Sequence, residues 1–122
     1  MRVEALVSGA SVVVGPETTL GDAATVLISR SVGAVAVLDG RRLVGILTDR
    51  DIVRAVGEGA DPDEPVTSWM TDGPDTMAPG VSVSEAADWM LETGYRHLPV
   101  TDGDDLLGIV DIRDVLWALR RP

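Results

Sequence analysis

Residues 43–52 read Leu-Val-Gly-Ile-Leu-Thr-Asp-Arg-Asp-Ile, and residues 106–115 read Leu-Leu-Gly-Ile-Val-Asp-Ile-Arg-Asp-Val. The two stretches align without a gap at an offset of 63 positions, and the same offset carries residues 19–24 onto residues 82–87. A register kept over most of a chain indicates that one supersecondary unit was duplicated. We therefore expect two copies of one unit that bury their apolar faces against each other.

The length and composition limit the class of protein. The chain has 122 residues, so each copy alone would be marginally stable and we expect one shared core. It has no cysteine, which excludes disulfides, thiolate metal sites and cysteine nucleophiles. It shows no secretory signal pattern and no long apolar run, so we expect a soluble, cytoplasmic protein that does not enter the membrane.

The charge also excludes classes of partner. The formal net charge is −10, and all ten basic residues are arginine. Such a chain repels a polyphosphate backbone and shows no basic stripe, so we expect no nucleic-acid partner. A small anionic ligand stays compatible with the composition, because arginines can be concentrated locally against the overall field.

Apolar periodicity predicts the same series of elements in both copies. In the first copy we predict strand, helix, strand, strand and helix at residues 12–14, 19–30, 34–38, 43–47 and 48–56. In the second copy the equivalent elements fall at residues 75–77, 84–93, 97–100, 106–110 and 111–119. The predicted fold class is α/β, an α+β sandwich of two tandem β-α-β-β-α repeats at residues 1–60 and 61–122 that form one pseudo-two-fold module.

The four predicted helices begin alike. Each start places a side chain that can cap a helix three residues before an acid, as in a capping box. The pairs are Thr19 and Asp22, Thr48 and Asp51, Ser82 and Glu85, and Asp111 and Asp114. Helix capping alone explains these residue types, so it is an alternative to any ligand-binding role for the same residues.

With both repeats in view, the chain resembles a tandem pair of cystathionine-β-synthase (CBS) domains, also called a Bateman module. The resemblance covers almost the whole chain. The family's "P-V-x-D" strand corresponds to residues 36–39 and 99–102, and its strand-to-helix junction, a glycine followed by apolar residues, Thr or Ser, and Asp, corresponds to residues 45–51 and 108–114.

The resemblance implies a regulatory module that binds adenosine-containing ligands in two clefts between the copies. These ligands are AMP, ADP and ATP, with S-adenosylmethionine in some members, and no cofactor is obligatory. In the family the junction Asp accepts hydrogen bonds from the ribose hydroxyls, the junction Thr or Ser contacts ribose or phosphate, and nearby basic side chains contact phosphate. The chemistry fits, because a carboxylate can accept from both hydroxyls of a cis-diol and a helix N-terminus favours an anion.

When the family's binding roles are assigned to matching residues of this sequence, the two clefts differ. The resemblance assigns the first cleft to Thr48, Arg50, Asp51, Ala34, Val14 and Thr19. It assigns the second, weaker cleft to Arg96, His97, Asp111, Arg113 and Asp114. Asp111 stands where the family prefers Thr or Ser, and a carboxylate repels a phosphate unless Arg96 or Arg113 neutralises it. We therefore expect the first cleft to be the better nucleotide site.

Several alternatives stay open at this stage. Asp111 and Asp114 can serve as caps alone, and Arg50 and Arg113 can form surface ion pairs. His97 can be a packed residue, a phosphate contact or a pH-sensitive contact. Trp69, Trp89 and Trp117 are most simply core or interface fillers, and exposed ones would indicate a dimer surface.

Two functions follow from the resemblance. The first is a free-standing sensor that signals by a conformational change or through an effector protein in trans, and the second is a structural or dimerisation module with degenerate clefts. We expect no enzyme and no metal site, because no credible nucleophile and base occur together. Because CBS pairs commonly dimerise through their helices, we also expect a homodimer, arranged either head-to-head or head-to-tail.

Overall fold

The computed structural model describes residues 1–7 and 12–121. The helices are α1 (Leu20–Ser29), α2 (Asp49–Gly57), α3 (Val83–Thr93) and α4 (Ile112–Leu119). The strands are β1 (Val13–Val14), β2 (Ala34–Asp39), β3 (Arg42–Thr48), β4 (Thr71–Asp72), β5 (His97–Asp102) and β6 (Asp105–Asp111). Short 3-10 turns cover Val3–Leu6 and Val66–Ser68. The mixed α/β class predicted from the sequence is confirmed.

The chain divides into two compact units. The continuous unit is Val12–Pro74, and the split unit combines Met1–Ser11 with Asp75–Pro122. The continuous unit holds a four-stranded sheet in the order β1-β2-β3-β4, in which only the β1–β2 pair is parallel. The split unit holds the antiparallel pair β5–β6. The sequence-repeat boundary between residues 60 and 61 stays a prediction.

The 3-10 turn at the head of each repeat packs in the unit of the other repeat. Val3 is fully buried in the core of the split unit, where its backbone N–H donates to Val81 at 2.8 Å. Val66 is fully buried in the core of the continuous unit, where its N–H donates to Thr18 at 2.8 Å. Apolar side chains at these heads are therefore exchanged between the repeats.

One predicted strand is wrong. Residues 75–77 were expected to repeat β1, yet Met77 forms only an isolated parallel bridge with Val100. The extra strand β4 precedes this segment and pairs with β3 of the continuous unit. Two-residue strands have no periodicity of their own, so pairing with a neighbouring strand decides where they form.

The predicted helix caps occur in the structure, with one difference. The hydroxyls of Thr19, Thr48 and Ser82 each accept a hydrogen bond from the backbone N–H three residues later. Asp111 caps α4 differently, because its carboxylate accepts from the N–H of Arg113, two residues later, at 2.7 Å. The shorter connection still satisfies one of the amides that a helix start leaves without an intrahelical partner.

The two central hairpins have the same register. Gly40 and Gly103 occupy their turns with φ angles of 63° and 60°, a conformation that favours glycine. Ala34 lies opposite Thr48 in the β2–β3 pair, and His97 lies opposite Asp111 in the β5–β6 pair. Each hairpin thus brings the start of one strand beside the start of the following helix, which is where the predicted site residues lie.

Across the described part of the chain, no helix combines the length and apolar character needed to cross a membrane.

Candidate functional site

The strand-to-helix junction of the continuous unit is closed by a reciprocal capping box. The Oγ1 atom of Thr48 accepts from the backbone N–H of Asp51 at 3.3 Å. The Oδ2 atom of Asp51 accepts from the backbone N–H of Thr48 at 2.9 Å and from its hydroxyl at 3.1 Å. The hydroxyl of Thr48 has thus used its only proton, so its main effect is to hold the Asp51 carboxylate in place.

The Asp51 carboxylate keeps acceptor capacity beyond the cap. An ionised carboxylate offers about four lone-pair sites, and the cap occupies those of Oδ2. The other oxygen, Oδ1, lies 3.5 Å from Nη2 of Arg54, and the Asp51 side chain is 17% exposed. Oδ1 can therefore accept hydrogen bonds from a hydroxylated ligand while Thr48 and Arg54 hold the carboxylate in position.

Arg54 is a residue of this junction that the sequence comparison did not select. Its guanidinium approaches Asp51 and lies 3.7 Å from Glu58, donates to the backbone oxygen of Trp69 at 3.1 Å, and stacks over the Trp69 ring at 5.0 Å. The sequence offered one signal for Arg54: it follows Asp51 by three residues on the same helix, which places the two side chains on one face. The contacts with Trp69 depend on the tertiary fold.

The remaining residues predicted for the first cleft lie in the same unit. Ala34 is buried opposite Thr48, and Val14 is half-buried at the end of β1, where it pairs with Val37. Thr19 is half-buried and caps α1, and Arg50 is exposed in the first turn of α2. The structure thus places Ala34 directly beside the Thr48–Asp51 junction.

The equivalent junction of the split unit carries charge on both strands. Nε2 of His97 lies 3.2 Å from Oδ2 of Asp111, and the guanidinium of Arg113 lies 3.4 Å from the same oxygen. The His97 and Asp111 side chains are 11% and 19% exposed. The distance between His97 and Asp111 allows an ion pair. The direction of Nε2 is unsuitable for a hydrogen bond to the carboxylate. The neighbours of the Asp111 carboxylate are therefore two potential cations.

The environment of Asp111 shifts its acidity. Partial burial raises the pKa of Asp111, but hydrogen bonds from the backbone and guanidinium of Arg113 and the positive charges of His97 and Arg113 outweigh the burial. The net result is a pKa of Asp111 below its ordinary value. Asp111 is thus held as a carboxylate, and the repulsion that it would exert on a phosphate is partly offset by its own neighbours.

The other residues predicted for the second cleft are more exposed. Arg96 and Asp114 lie on the surface, and Arg113 has 78% of its side chain exposed. The backbone oxygen of Arg96 accepts from the N–H of Ile112 at 2.8 Å, which ties the start of β5 to the start of α4. The structure brings His97, Asp111 and Arg113 together. Roles for Arg96 and Asp114 in ligand binding stay predictions.

Comparison with known families agrees with this organisation. The model of the CBS domain family matches residues 3–58 and 66–121. The chain therefore belongs to the CBS domain family and carries two CBS domains in tandem. A relative from Acidianus ambivalens, described as "Uncharacterized 17.7 kDa protein in bps2 3'region", is 40% identical over 109 residues. That alignment covers 88% of this chain and 66% of the relative.

Two solved structures share the fold over nearly their whole length. The CBS-domain containing protein ATU1752 from Agrobacterium tumefaciens has a TM-score of 0.91 and 30% identity, covering 98% of this chain and 99% of that chain. The CBS domain protein PAE2072 from Pyrobaculum aerophilum, solved in complex with AMP, has a TM-score of 0.86 and 29% identity. That comparison covers 98% of both chains.

Proposed function

We propose that this chain is a regulatory CBS pair that binds an adenine nucleotide of the AMP, ADP or ATP class at the Thr48–Asp51 junction. The observation that carries the proposal is the half-buried Asp51 carboxylate, which the Thr48 capping box orients while Oδ1 retains acceptor capacity. A ribose cis-diol supplies the two hydroxyl donors that such a carboxylate accepts. The AMP complex of the Pyrobaculum aerophilum protein supports this class of ligand.

The two junctions differ in the ligand that they favour. The first pairs a buried Ala34 with Thr48, so no fixed charge lies opposite the cap. The second pairs His97 with Asp111, so a phosphate would compete with Asp111 for the charge of His97 and Arg113. The first junction is therefore the stronger nucleotide site, and the second is weaker or selects a different ligand, with S-adenosylmethionine among the candidates.

Thermal unfolding with a panel of AMP, ADP, ATP, S-adenosylmethionine and NADH tests nucleotide binding. A ligand that binds only the native state stabilises it, by about 2.7 kcal/mol at a concentration one hundred times its Kd. We expect at least one adenine nucleotide to raise the unfolding temperature, and Asp51→Asn to reduce that shift far more than Asp114→Asn. Equal losses in the two variants would contradict the asymmetry of the junctions.

The competing function is a structural or dimerisation module. Its supporting observation is that Thr48 and Asp51 already satisfy each other as a helix cap and need no ligand. A stable dimer that no member of the panel stabilises would favour it.

The proposed regulatory function includes no catalytic step. Nucleotide turnover that is abolished by Asp51→Ala would contradict this part of the proposal.

The proposal also includes a homodimer and an effector protein that reads the nucleotide state in trans. Trp117 is 54% exposed, and Leu116 and Leu119 beside it on α4 are exposed as well. A cluster of large apolar side chains on a helix surface is typical of an interface. Light scattering at micromolar concentration should give twice the mass of the chain, and a monomeric mass would contradict the homodimer.

A further inference from the structure

The guanidinium of Arg54 connects the Thr48–Asp51 junction to another part of the continuous unit. Its Nη2 atom lies 3.5 Å from Oδ1 of Asp51 and donates to the backbone oxygen of Trp69 at 3.1 Å. This nitrogen carries two hydrogens, so the same atom can serve both acceptors. Trp69 follows Arg54 by 15 positions and is not among the residues assigned to the nucleotide site. One side chain therefore contacts both the site and a segment outside it.

The ring of Trp69 is held by the same side chain. The guanidinium carbon of Arg54 lies 5.0 Å from the ring centroid, which is within the range of a cation–π contact. The ring packs against the core of the continuous unit, and its Nε1 is buried without a hydrogen-bond partner among the described residues. An unpaired buried donor costs free energy, and this cost opposes the position of the ring. The contact with Arg54 therefore helps to decide whether the ring keeps that position.

Trp69 belongs to the segment through which the chain leaves the continuous unit. We call residues 66–72 the exit segment. It contains the 3-10 turn Val66–Ser68 and the strand β4, and the continuous unit ends shortly afterwards at Pro74. Strand β4 pairs with β3, the strand that ends at Thr48. A change in the contact between Arg54 and Trp69 thus acts on the part of the chain that continues into the split unit.

The equivalent positions of the other repeat cannot make this connection. At the 63-residue offset, Arg54 corresponds to Trp117 and Trp69 corresponds to Leu6. Trp117 has no charge to offer Asp114, and Leu6 has no aromatic ring on which a cation could stack. Helix α4 nevertheless forms, so the fold of the repeat does not require an arginine at this position. The connection through Arg54 is therefore particular to the junction proposed as the stronger nucleotide site.

We propose that Arg54 couples the nucleotide site to the exit segment. The contact with Trp69 positions Arg54 beside Asp51, and a nucleotide bound at Asp51 in turn strengthens the contact between Arg54 and Trp69. This inference rests on the nucleotide binding of the proposed function and adds its regulation. Arg54 and Trp69 are positioning residues, because they act on the ligand through the Asp51 carboxylate.

The coupling has two states, in which the contact between Arg54 and Trp69 is made or broken. Arg54 steadies Oδ1 of Asp51 while the contact is made, so the ligand binds that state better and shifts the population toward it. Linkage makes the effect reciprocal: the factor by which the contact raises the ligand affinity is the factor by which the ligand favours the contact. Trp69 therefore both tunes the affinity and reports the occupancy of the site.

Substitution of Trp69 tests the effect on affinity by isothermal titration calorimetry with AMP. Trp69→Leu removes the ring but keeps the backbone oxygen that Arg54 contacts. The Arg54 side chain is 52% exposed, and a cation–π contact at an exposed site corresponds to about two- to fivefold in an equilibrium constant. We expect Trp69→Leu to bind AMP weaker by that factor and Trp69→Phe, which keeps an aromatic face, to recover part of the loss. An unchanged affinity in Trp69→Leu would overturn the coupling.

A double-mutant cycle tests whether Trp69 acts through Arg54. We expect Arg54→Gln to weaken AMP binding at least as much as Trp69→Leu, and the double variant to be no weaker than Arg54→Gln alone. Arg30→Gln makes the same change of net charge at an exposed residue that ends α1, and it should bind AMP like the wild type. Additive losses in the double variant would overturn the role of Arg54.

Fluorescence of Trp69 provides a measurement that a merely structural role of Arg54 would not change. The chain has three tryptophans, so Trp89→Phe and Trp117→Phe together leave Trp69 as the only one. In this reporter chain we expect saturating AMP to reduce the quenching of Trp69 emission by acrylamide, and added Arg54→Gln to abolish that reduction. A reduction that persists in Arg54→Gln, or no reduction in the reporter chain, would overturn the proposal.

Calorimetry of the wild type and the reporter chain with AMP, ADP and ATP separates this inference from the proposed function. If none of the three nucleotides binds, the proposed nucleotide site fails and the coupling fails with it. If a nucleotide binds while the quenching of Trp69 stays the same, the coupling alone is overturned. Each outcome thus identifies which of the two statements has failed.

Discussion

Nε2 of His97 lies 3.2 Å from Oδ2 of Asp111, and the two residues are partners in the register of β5 and β6. The same two places in the first repeat hold Ala34 and Thr48, which cannot form an ion pair. The two repeats therefore share a backbone pairing but differ in the side chains that it brings together. One junction is uncharged opposite its helix cap, and the other contains an acid beside a titratable base.

The first prediction concerns acid stability. The pKa of Asp111 lies below its ordinary value of 3.8, because Arg113 and His97 outweigh the effect of burial. A carboxyl group whose pKa is lower in the folded than in the unfolded protein adds to the free energy of unfolding at pH values above its unfolded-state pKa. This contribution is lost as the pH falls through its folded-state pKa. We expect the free energy of unfolding, measured by urea titration at pH values from neutral to about 3, to fall more in the wild type than in Asp111→Asn.

His97→Gln is the matched variant for that measurement. It keeps a polar side chain opposite Asp111 but removes the positive charge that helps to lower the pKa of the carboxyl group. We expect its acid sensitivity to lie between those of the wild type and Asp111→Asn. The same acid dependence in all three proteins would show that this pair adds nothing to stability.

The second prediction concerns the nucleotide affinity of the first junction. Asp51→Asn replaces a charged acceptor by a neutral amide, and hydrogen bonds to charged groups contribute about 1.5–3 kcal/mol. We expect AMP to bind roughly 10- to 100-fold more weakly in isothermal titration calorimetry. Asp114→Asn, at the equivalent position of the second repeat, should change the AMP affinity less than threefold or so, and a larger loss there than in Asp51→Asn would contradict the assignment.

The third prediction concerns a close contact in the continuous unit. A Cβ atom at Gly45 would overlap the side chain of Met70, with its Cε at 2.9 Å and Cγ at 3.0 Å. We expect Gly45→Ala to lower the free energy of unfolding by about 1–3 kcal/mol, the usual cost of overpacking. Gly57→Ala, which meets no atom within 4 Å, should be neutral or stabilise by up to about 1 kcal/mol. Equal values for both in urea unfolding would show that Met70 moves aside without cost.

The fourth prediction concerns the cap of α3. The hydroxyl of Ser82 accepts from the backbone N–H of Glu85 at 3.0 Å. We expect Ser82→Ala to lower the free energy of unfolding by about 1 kcal/mol, because it leaves that amide without its cap. Ser84→Ala, an exposed change within the same helix, should lie within about 0.5 kcal/mol of the wild type in the same unfolding measurement. A smaller loss in Ser82→Ala than in Ser84→Ala would contradict the capping role.

Much of the fold could be predicted because its signals are local. Helix periodicity, cap residues and the Asp-Gly turns at Gly40 and Gly103 act within a few positions of the chain. The exchange of Val3 and Val66 between the units carries no such local signal, because each residue is simply an apolar side chain until its neighbours are known. The strand β4 was missed for the same reason.

The candidate site shows the same division. The Thr48–Asp51 pair follows from its spacing on a helix start, and so does the choice of Asp111 as a cap. The contact of His97 with Asp111 depends on the register of the hairpin, and the stacking of Arg54 on Trp69 depends on the fold of the continuous unit. Neither contact could be predicted from the sequence. Sequence alignment identified the residues that differ between the repeats, whereas their distances determined which of them interact.

The duplication, the order of the elements and the positions of the helix caps can all be predicted from the amino-acid sequence, because they depend on periodicity and short-range hydrogen bonding. The folded chain was needed to show the pairing of His97 with Asp111, the exchange of the repeat heads and the exposure of Val53 and Leu116. Those features depend on contacts between residues far apart in the chain. The side-chain chemistry printed in the sequence sets what each residue can do, and folding sets which partners it meets.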